Sequence, residues 1–344
     1  MKSLNMIGRL FAVSTMAALT SVAAIAQDAG YEAARKEGAL VWYTTFIVPQ
    51  AAQPIADAFM KKYPGIKVSL SRADSIPTAL KILTEAKAGR IQADVTDGIE
   101  TAPPLLKENL LASYVPKGSE DYPAELKDPK GYWHAVGLYF FTPGVNTNLV
   151  PKGTEPRKLE DLLDPKWKGK MAWSMASGTG GSAFIGKVLM TLGEDRGMAY
   201  LQQLRKQNVV NVGITARAIL DEVINGEYPM ALEIFNHHAV ISAAKGAPVT
   251  WIPLEPILAP MAVASVVKDA PHPAAARLFL DYLVSEECQK IFADADYLPA
   301  NPKVAARTPS LKPEGGGFKA MFMPPGVMAE NSERWSKLRK DLFD

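Results

Sequence analysis

Ser177-Gly178-Thr179-Gly180-Gly181-Ser182-Ala183-Phe184 is the stretch whose residue types point most directly to chemistry. It follows an apolar run ending in Trp173. It precedes a helical pattern, Phe184, Ile185, Val188, Leu189 and Leu192, spaced by three and four. A strand, a glycine-rich turn and a helix start bring unpaired N–H groups and the positive end of a helix dipole into one loop. Glycines let a ligand approach the backbone, and the hydroxyls of Ser177, Thr179 and Ser182 add donors, which suits an anionic or strongly polar ligand. Three enzyme patterns fit this stretch only in part. Gly178-x-Gly180-x-x-Ala183 follows the dinucleotide fingerprint, but Glu194 and Asp195 come too early, in a turn, to hold a ribose. Gly181 to Gly186-Lys187 has P-loop spacing, with Val188 where a magnesium-binding hydroxyl belongs. Gly180-Gly181-Ser182-Ala183-Phe184 lacks the second glycine of a nucleophile elbow.

Other candidates sit where apolar runs end. Arg72 follows the alternating run Ile66 to Leu70 and suits a two-pronged grip on carboxylate or phosphate, with Asp74 and Ser75 beside it. Arg217 suits the same task from a second region. Asn236, His237 and His238 follow the buried run Met230 to Phe235 and either cap the next helix or face a ligand. Neighbours on a helix diverge by about 100°, so at most one of the two histidines is expected to face a ligand. Its protonation below about pH 6.5 would then tighten anion binding. No i,i+4 or alternating histidine pair exists, so no metal site is expected. Asp74, Asp97, Glu233 and Glu255 show no paired-acid spacing, so no catalytic residue is assigned. An exported hydrolase built on Ser182 is the alternative of another class.

The elements that position these residues read as α/β. Lys2 and Arg9, an apolar stretch from Ile7 to Ile25, and Ala24-Ile25-Ala26 form an export signal cleaved after Ala26, which predicts a periplasmic protein. The leader holds two of the 38 basic residues and none of the 36 acidic ones, so the mature chain is electrically balanced and nucleic acid is no expected partner. Cys288 is the single cysteine, which excludes an internal disulfide and a lipid anchor at the cleavage site. A mature chain of this length suggests two domains. Ala39 to Tyr43, Ile66 to Leu70 and Asp94 to Gly98 are strands separated by helical patterns at Ala51 to Lys62 and from Pro77 to Gly89. That series gives a mostly parallel sheet with helices on it. Ligands then lie beyond the strand C-termini, at Tyr43-Thr44-Thr45, Arg72 to Ser75 and Asp97-Gly98. A second α/β unit runs from about Trp133 to Leu254, and Pro273 to Phe292 reads as one amphipathic helix.

The chain resembles the periplasmic solute-binding proteins of ABC importers, in the ferric-iron-binding branch. The likeness rests on Gly38-Ala39-Leu40-Val41-Trp42-Tyr43-Thr44, Phe59-x-x-x-Tyr63-Pro64-Gly65-Ile66-x-Val68, Asn146-Thr147-Asn148-Leu149-Val150, Ser177-Gly178-Thr179-Gly180 and Gly246-Ala247-Pro248-Val249. It is most specific at His272-Pro273-x-Ala275-Ala276-x-Leu278-Phe279-Leu280-Asp281-Tyr282-Leu283-x-Ser285-Glu286-Glu287-x-Gln289 and Tyr297-Leu298-Pro299-Ala300. The resemblance implies a two-lobed type II binding-protein fold, each lobe a mostly parallel sheet flanked by helices, with the ligand cleft between lobes. The first lobe would hold residues 27–136 and about 258–300, the second 137–257 and about 301–344. Crossovers are expected near Gly137 to Tyr139 and Leu254 to Leu258. The resemblance implies a monomeric receptor, not an enzyme, that needs no cofactor and delivers a small solute to an inner-membrane permease. By position it marks Tyr43, Thr44, Thr45, Arg72, Asp74, Ser75, Ser177, Gly178, Thr179, Gly180, Arg217, Asn236, His237 and His238 as ligand-binding. Iron-binding members carry a tyrosine pair where this chain has His237-His238, and a histidine in the first loop where it has Thr44-Thr45. An anionic solute is therefore expected, with ferric iron or a metal chelate as the alternative.

Overall fold

The computed structural model describes residues 29–175 and 180–344. The expected export signal, residues 1–26, and Ser177, Gly178 and Thr179 lie outside the described residues. The strands are β1 (Ala39–Thr44), β2 (Lys67–Arg72), β3 (Val95–Gly98), β4 (His134–Leu138), β5 (Phe141–Asn146), β6 (Met171–Ser174), β7 (Val210–Val212), β8 (Met230–Phe235), β9 (Val249–Trp251), β10 (Ile257–Val266), β11 (Leu298–Pro299) and β12 (Ala320–Met323). Eight of them run in the order β2-β1-β3-β10-β5-β8-β6-β7, and β4, β9, β11 and β12 pair off this path. At one end β1 lies parallel to β2 and β3, and at the other β6 lies parallel to β7 and β8. Helices cover both ends, as the alternating β and α patterns require.

The middle is antiparallel. β10 is buried along its whole length. Its C-terminal half pairs with β3 and β4, and its N-terminal half with β5 and β12. One strand thus serves two cores. The first core gathers Trp42, Phe46, Phe59, Phe279 and Phe292, and extends to Leu311 and Phe318. The second gathers Phe141, Trp173, Phe184 and Trp335, with a satellite around Ile219 and Val223.

Gln289 shows why the segment carrying the family likeness matters to this crossing. Its amide donates to Val136 O and Leu283 O at 2.9 Å each. Its carbonyl accepts from Ala300 N at 2.8 Å and Asn301 N at 3.1 Å. It so fixes β11 against β4. The single helix expected from Pro273 to Phe292 is two, Pro273–Val284 and Glu286–Asp294. Ser285 leaves helical geometry at ψ 152°, and its hydroxyl accepts from Cys288 N, an N-cap with two glutamates following. The apolar stretch from Trp133 to Phe141 holds all of β4 and the first residue of β5. β12 is a strand that sequence periodicity did not reveal.

Candidate functional site

A cleft of about 1320 Å³ lies between the two cores. Residues at strand ends and helix starts line it. From the first core's side come Thr45, Ile47, Arg72, Ser75, Ile99 and Glu100. From the second come Thr215, Arg217, Phe235, His237, His238 and Lys245. Tyr139 and Tyr297 close the side where the chain crosses over, and Ser332, Glu333 and Ser336 of the last helix, Pro325–Phe343, stand at the mouth. The helices Ser75–Lys87, Ala216–Asn225 and Asn236–Ala243 begin at this cleft. Their dipoles direct positive potential into it.

The first wall is built on Asp97. Its buried carboxylate accepts from Trp42 Nε1 at 2.7 Å, Thr45 N at 2.9 Å and Thr45 Oγ1 at 2.7 Å. Burial pushes this carboxyl up to about 6, against the pull of those donors. Gly98 follows with φ +139°, and a Cβ there would stand 2.3 Å from Thr101 Oγ1 and 2.7 Å from Ser75 Oγ. Only glycine fits that conformation and that closeness. Thr45 and Ser75 thus close in on Gly98 at the cleft surface. Arg72 is exposed and bonds Asp74 at 2.8 Å.

The second wall is different. Arg217 donates to Ser242 Oγ at 3.0 Å and Asp221 Oδ1 at 2.7 Å. His237 and His238 both line the cleft, their rings 4.3 Å apart. The expectation that at most one histidine would face it fails because they occupy the first turn of Asn236–Ala243, around which the cleft wraps. The Nδ1 atoms of both are buried without a hydrogen-bond partner. Burial, reinforced by the neighbouring ring, holds His237 down at about 3. Burial, reinforced by Arg217, holds His238 at about 4. Burial thus favours the neutral form of both at pH 7, against the expectation that a cleft histidine gains its proton near pH 6.5. Behind them Glu233 is fully buried with neither oxygen hydrogen-bonded. Burial pushes its carboxyl up, and it pushes the ammonium of buried Lys187 down.

Several residues picked out by sequence lie off this lining. Tyr43 is buried and donates to Glu85 at 2.6 Å. Thr44 is buried, and its hydroxyl accepts from Phe46 N. Asn236 is buried and ties Leu311 O at 3.0 Å. Gly180 precedes the helix Gly181–Leu192, and a Cβ on it would stand 2.1 Å from Ser174 O, so packing alone demands glycine there. Ser182 Oγ meets Ser336 Oγ at 3.2 Å, and no histidine is bonded to it. A nucleophile needs such a base, so the hydrolase reading lacks its geometry among the described residues. Sequence reasoning missed Glu100, Tyr297 and the residues of the last helix. Tyr297 stood in a motif already singled out, and Glu100 two places beyond a strand end. The last helix gave no signal, because its cleft residues are ordinary serines and a glutamate.

A model of the family described as bacterial extracellular solute-binding protein matches residues 100–314. Among solved structures, iron-bound HitA from Pseudomonas aeruginosa is 25% identical, with TM-score 0.72 over 87% of this chain and 98% of that one. The Trichodesmium protein IdiA (FutA), in complex with iron and citrate, is 21% identical with TM-score 0.76, over 89% of this chain and 99% of its own. The periplasmic binding protein AfuA from Actinobacillus pleuropneumoniae, with fructose-6-phosphate bound, is 23% identical with TM-score 0.72, over 89% and 98%. The last two are likenesses of fold. The family match spans well over half the sequence, from the turn after β3 to the region just before β12, and the chain belongs to the family of bacterial extracellular solute-binding proteins.

Proposed function

We propose that the protein is a periplasmic receptor that closes its two lobes on a small polar solute carrying an anionic group and presents it to an ABC permease. The observation that carries this reading is the convergence of one arginine from each wall, Arg72 and Arg217, with three helix N-termini on one cleft. Charge-assisted hydrogen bonds from guanidinium groups and first-turn amides are the strong ones available to an anion. Among the described residues lining the cleft no nucleophile is paired with a base, which supports binding without chemistry. The balanced charge of the mature chain supports a partner other than nucleic acid, and the receptor acts as a monomer.

The lobes divide at β4–β5 and at β10, the strand common to both cores. We place the second boundary of the first lobe after Phe318, which packs on Phe140 with ring centroids 5.3 Å apart. The cleft exceeds the roughly 300–1,000 Å³ of a typical small-molecule site, which leaves room for closure about this hinge. A panel of phosphorylated sugars, carboxylates, phosphonates, thiamine and polyamines, read by thermal shift, tests the reading. A true ligand at 100 times its Kd adds about 2.7 kcal/mol. Stabilisation by polyamines alone would refute it.

A chelated ferric ion is a second reading, favoured by one observation. Tyr139 and Tyr297 both line the cleft, and HitA is an iron-bound relative in fold and sequence. Burial holds both phenols above their usual range, so a ferric ion would have to displace their protons. Titration with ferric citrate decides: a visible tyrosinate-to-iron band lost in Tyr139→Phe or Tyr297→Phe would establish iron as cargo.

A further inference from the structure

Most charges lining the cleft are already matched. Arg72 has Asp74 at 2.8 Å, Arg217 has Asp221 at 2.7 Å, and Asp296 has Arg307 at 3.4 Å. Glu100 and Glu333 are the lining acids that make no ion pair among the described residues. They stand on opposite walls. Glu100 lies in the turn after β3, just before the helix Ala102–Lys107. Glu333 lies on the last helix, which packs on the second core and also touches Ala102–Lys107. Each wall therefore offers one arginine and one unpaired carboxylate, and the second wall also carries Lys245, a cation without an ion pair among the described residues.

That arrangement works against a bare anion. Two like charges 4 Å apart repel by about 4 kcal/mol at an effective dielectric of 20, and closure would bring ligand and carboxylates together. A carboxylate is an acceptor only, so what satisfies it is an O–H or N–H on the solute. We propose that Glu100 and Glu333 are specificity residues that accept hydrogen bonds from donor groups of a solute whose anionic group is held by Arg72 and Arg217. The solute class is then a small organic anion bearing hydroxyls or an ammonium. Inorganic anions and plain dicarboxylates are disfavoured. This rests on the reading of the cleft as an anion site.

The test is calorimetric titration with three probes, glucose 6-phosphate, glucosamine 6-phosphate and inorganic phosphate. It uses wild type, Glu100→Gln, Glu333→Gln and Arg72→Ala. Wild type is expected to prefer the sugar phosphates to inorganic phosphate at least tenfold. Each glutamine variant is expected to bind them at least fivefold more weakly while holding inorganic phosphate as well as before or better. A further preference for glucosamine 6-phosphate assigns the acids to an ammonium, and equal binding of both sugars assigns them to hydroxyls. Tighter or unchanged sugar-phosphate binding in both glutamine variants overturns the inference and leaves the anion site standing. Undiminished binding in Arg72→Ala overturns the anion site itself. A wild type that binds none of the three overturns both. Glu333 is exposed, so its variant keeps the test valid even if Glu100→Gln folds poorly.

Discussion

Asp97 is buried just behind the cleft surface of one wall, and His237 is a mostly buried part of the lining of the other. Asp97 has three protein donors on its carboxylate, whereas His237 and its neighbour His238 keep Nδ1 atoms that nothing meets. A buried polar group without a partner costs on the order of 1–3 kcal/mol. The first wall has settled that cost within itself, and Thr45 and Ser75 close in on Gly98 so tightly that no side chain fits there. The second wall retains hydrogen-bonding capacity that a ligand or a bridging water can use. A receptor that must hold its solute and then release it gains from this division, because only one wall depends on the ligand to be satisfied.

Acid should expose the contrast most strongly. The two cleft histidines have values depressed from 6.5 to about 3 and 4. The stability they contribute is fully present above pH 6.5 and is lost as pH falls toward 4, by up to about 1.4 kcal/mol per pH unit for each ring. His134, held at about 4 by burial, adds a background of the same sign. Asp97 acts oppositely. Its value is raised from 3.8 to about 6, so the folded state gains its proton first and stability is favoured as pH falls from 6 to 3.8. Urea titrations from pH 7 to pH 4 should show a net loss, steeper in Asp97→Asn and flatter in His237→Gln/His238→Gln. Identical slopes in all three proteins would break the comparison.

Asp97→Ala comes next in size. It orphans Trp42 Nε1 and both Thr45 donors, and should cost about 3 kcal/mol or more in chemical denaturation, at 1–3 kcal/mol per orphaned group. A loss below 1 kcal/mol would mean that the first wall is not built on this carboxylate.

These two walls also show what the sequence could convey. The β-α-β series at Ala39 to Gly98 was legible because its strands are short apolar runs closed by Gly and Pro. The placing of Arg72, Ser75 and Thr45 followed from the rule that ligands sit beyond parallel strands' C-terminal ends. The orientation of neighbouring residues was not legible. Thr45 lies one place past the last residue of β1 and faces the cleft, whereas Tyr43 and Thr44, on opposite faces of the strand, are both buried, and a one-residue shift in where β1 ends decides which is which. The last helix was legible as a helix but not as a cleft wall, because its position depends on packing against Gly186, where a Cβ would stand 2.7 Å from the Trp335 ring. Likewise Ser285 divides a helix whose apolar spacing runs on unbroken, so periodicity could not see the cap.

The smallest expected effect sharpens that last contrast between a wall and its backing. Tyr43→Phe removes the hydrogen bond to Glu85 and should cost about 1 kcal/mol of stability while leaving ligand affinity within twofold. A tenfold loss of affinity with unchanged stability would put Tyr43 back at the ligand.

The central claim, an anionic solute gripped from both walls, meets its most direct test in native mass spectrometry of the mature protein. The panel would contain a hexose 6-phosphate, citrate, phosphonoacetate, ferric ion and spermidine, offered to wild type and to Arg72→Ala/Arg217→Ala. Each arginine lost removes charge-assisted hydrogen bonds of about 1.5–3 kcal/mol, so the double variant should lose at least a hundredfold in affinity. The account predicts one organic anion bound per wild-type protein and none on the double variant. Retention of that anion by the double variant, or one-to-one binding of ferric ion or spermidine alone, would contradict it.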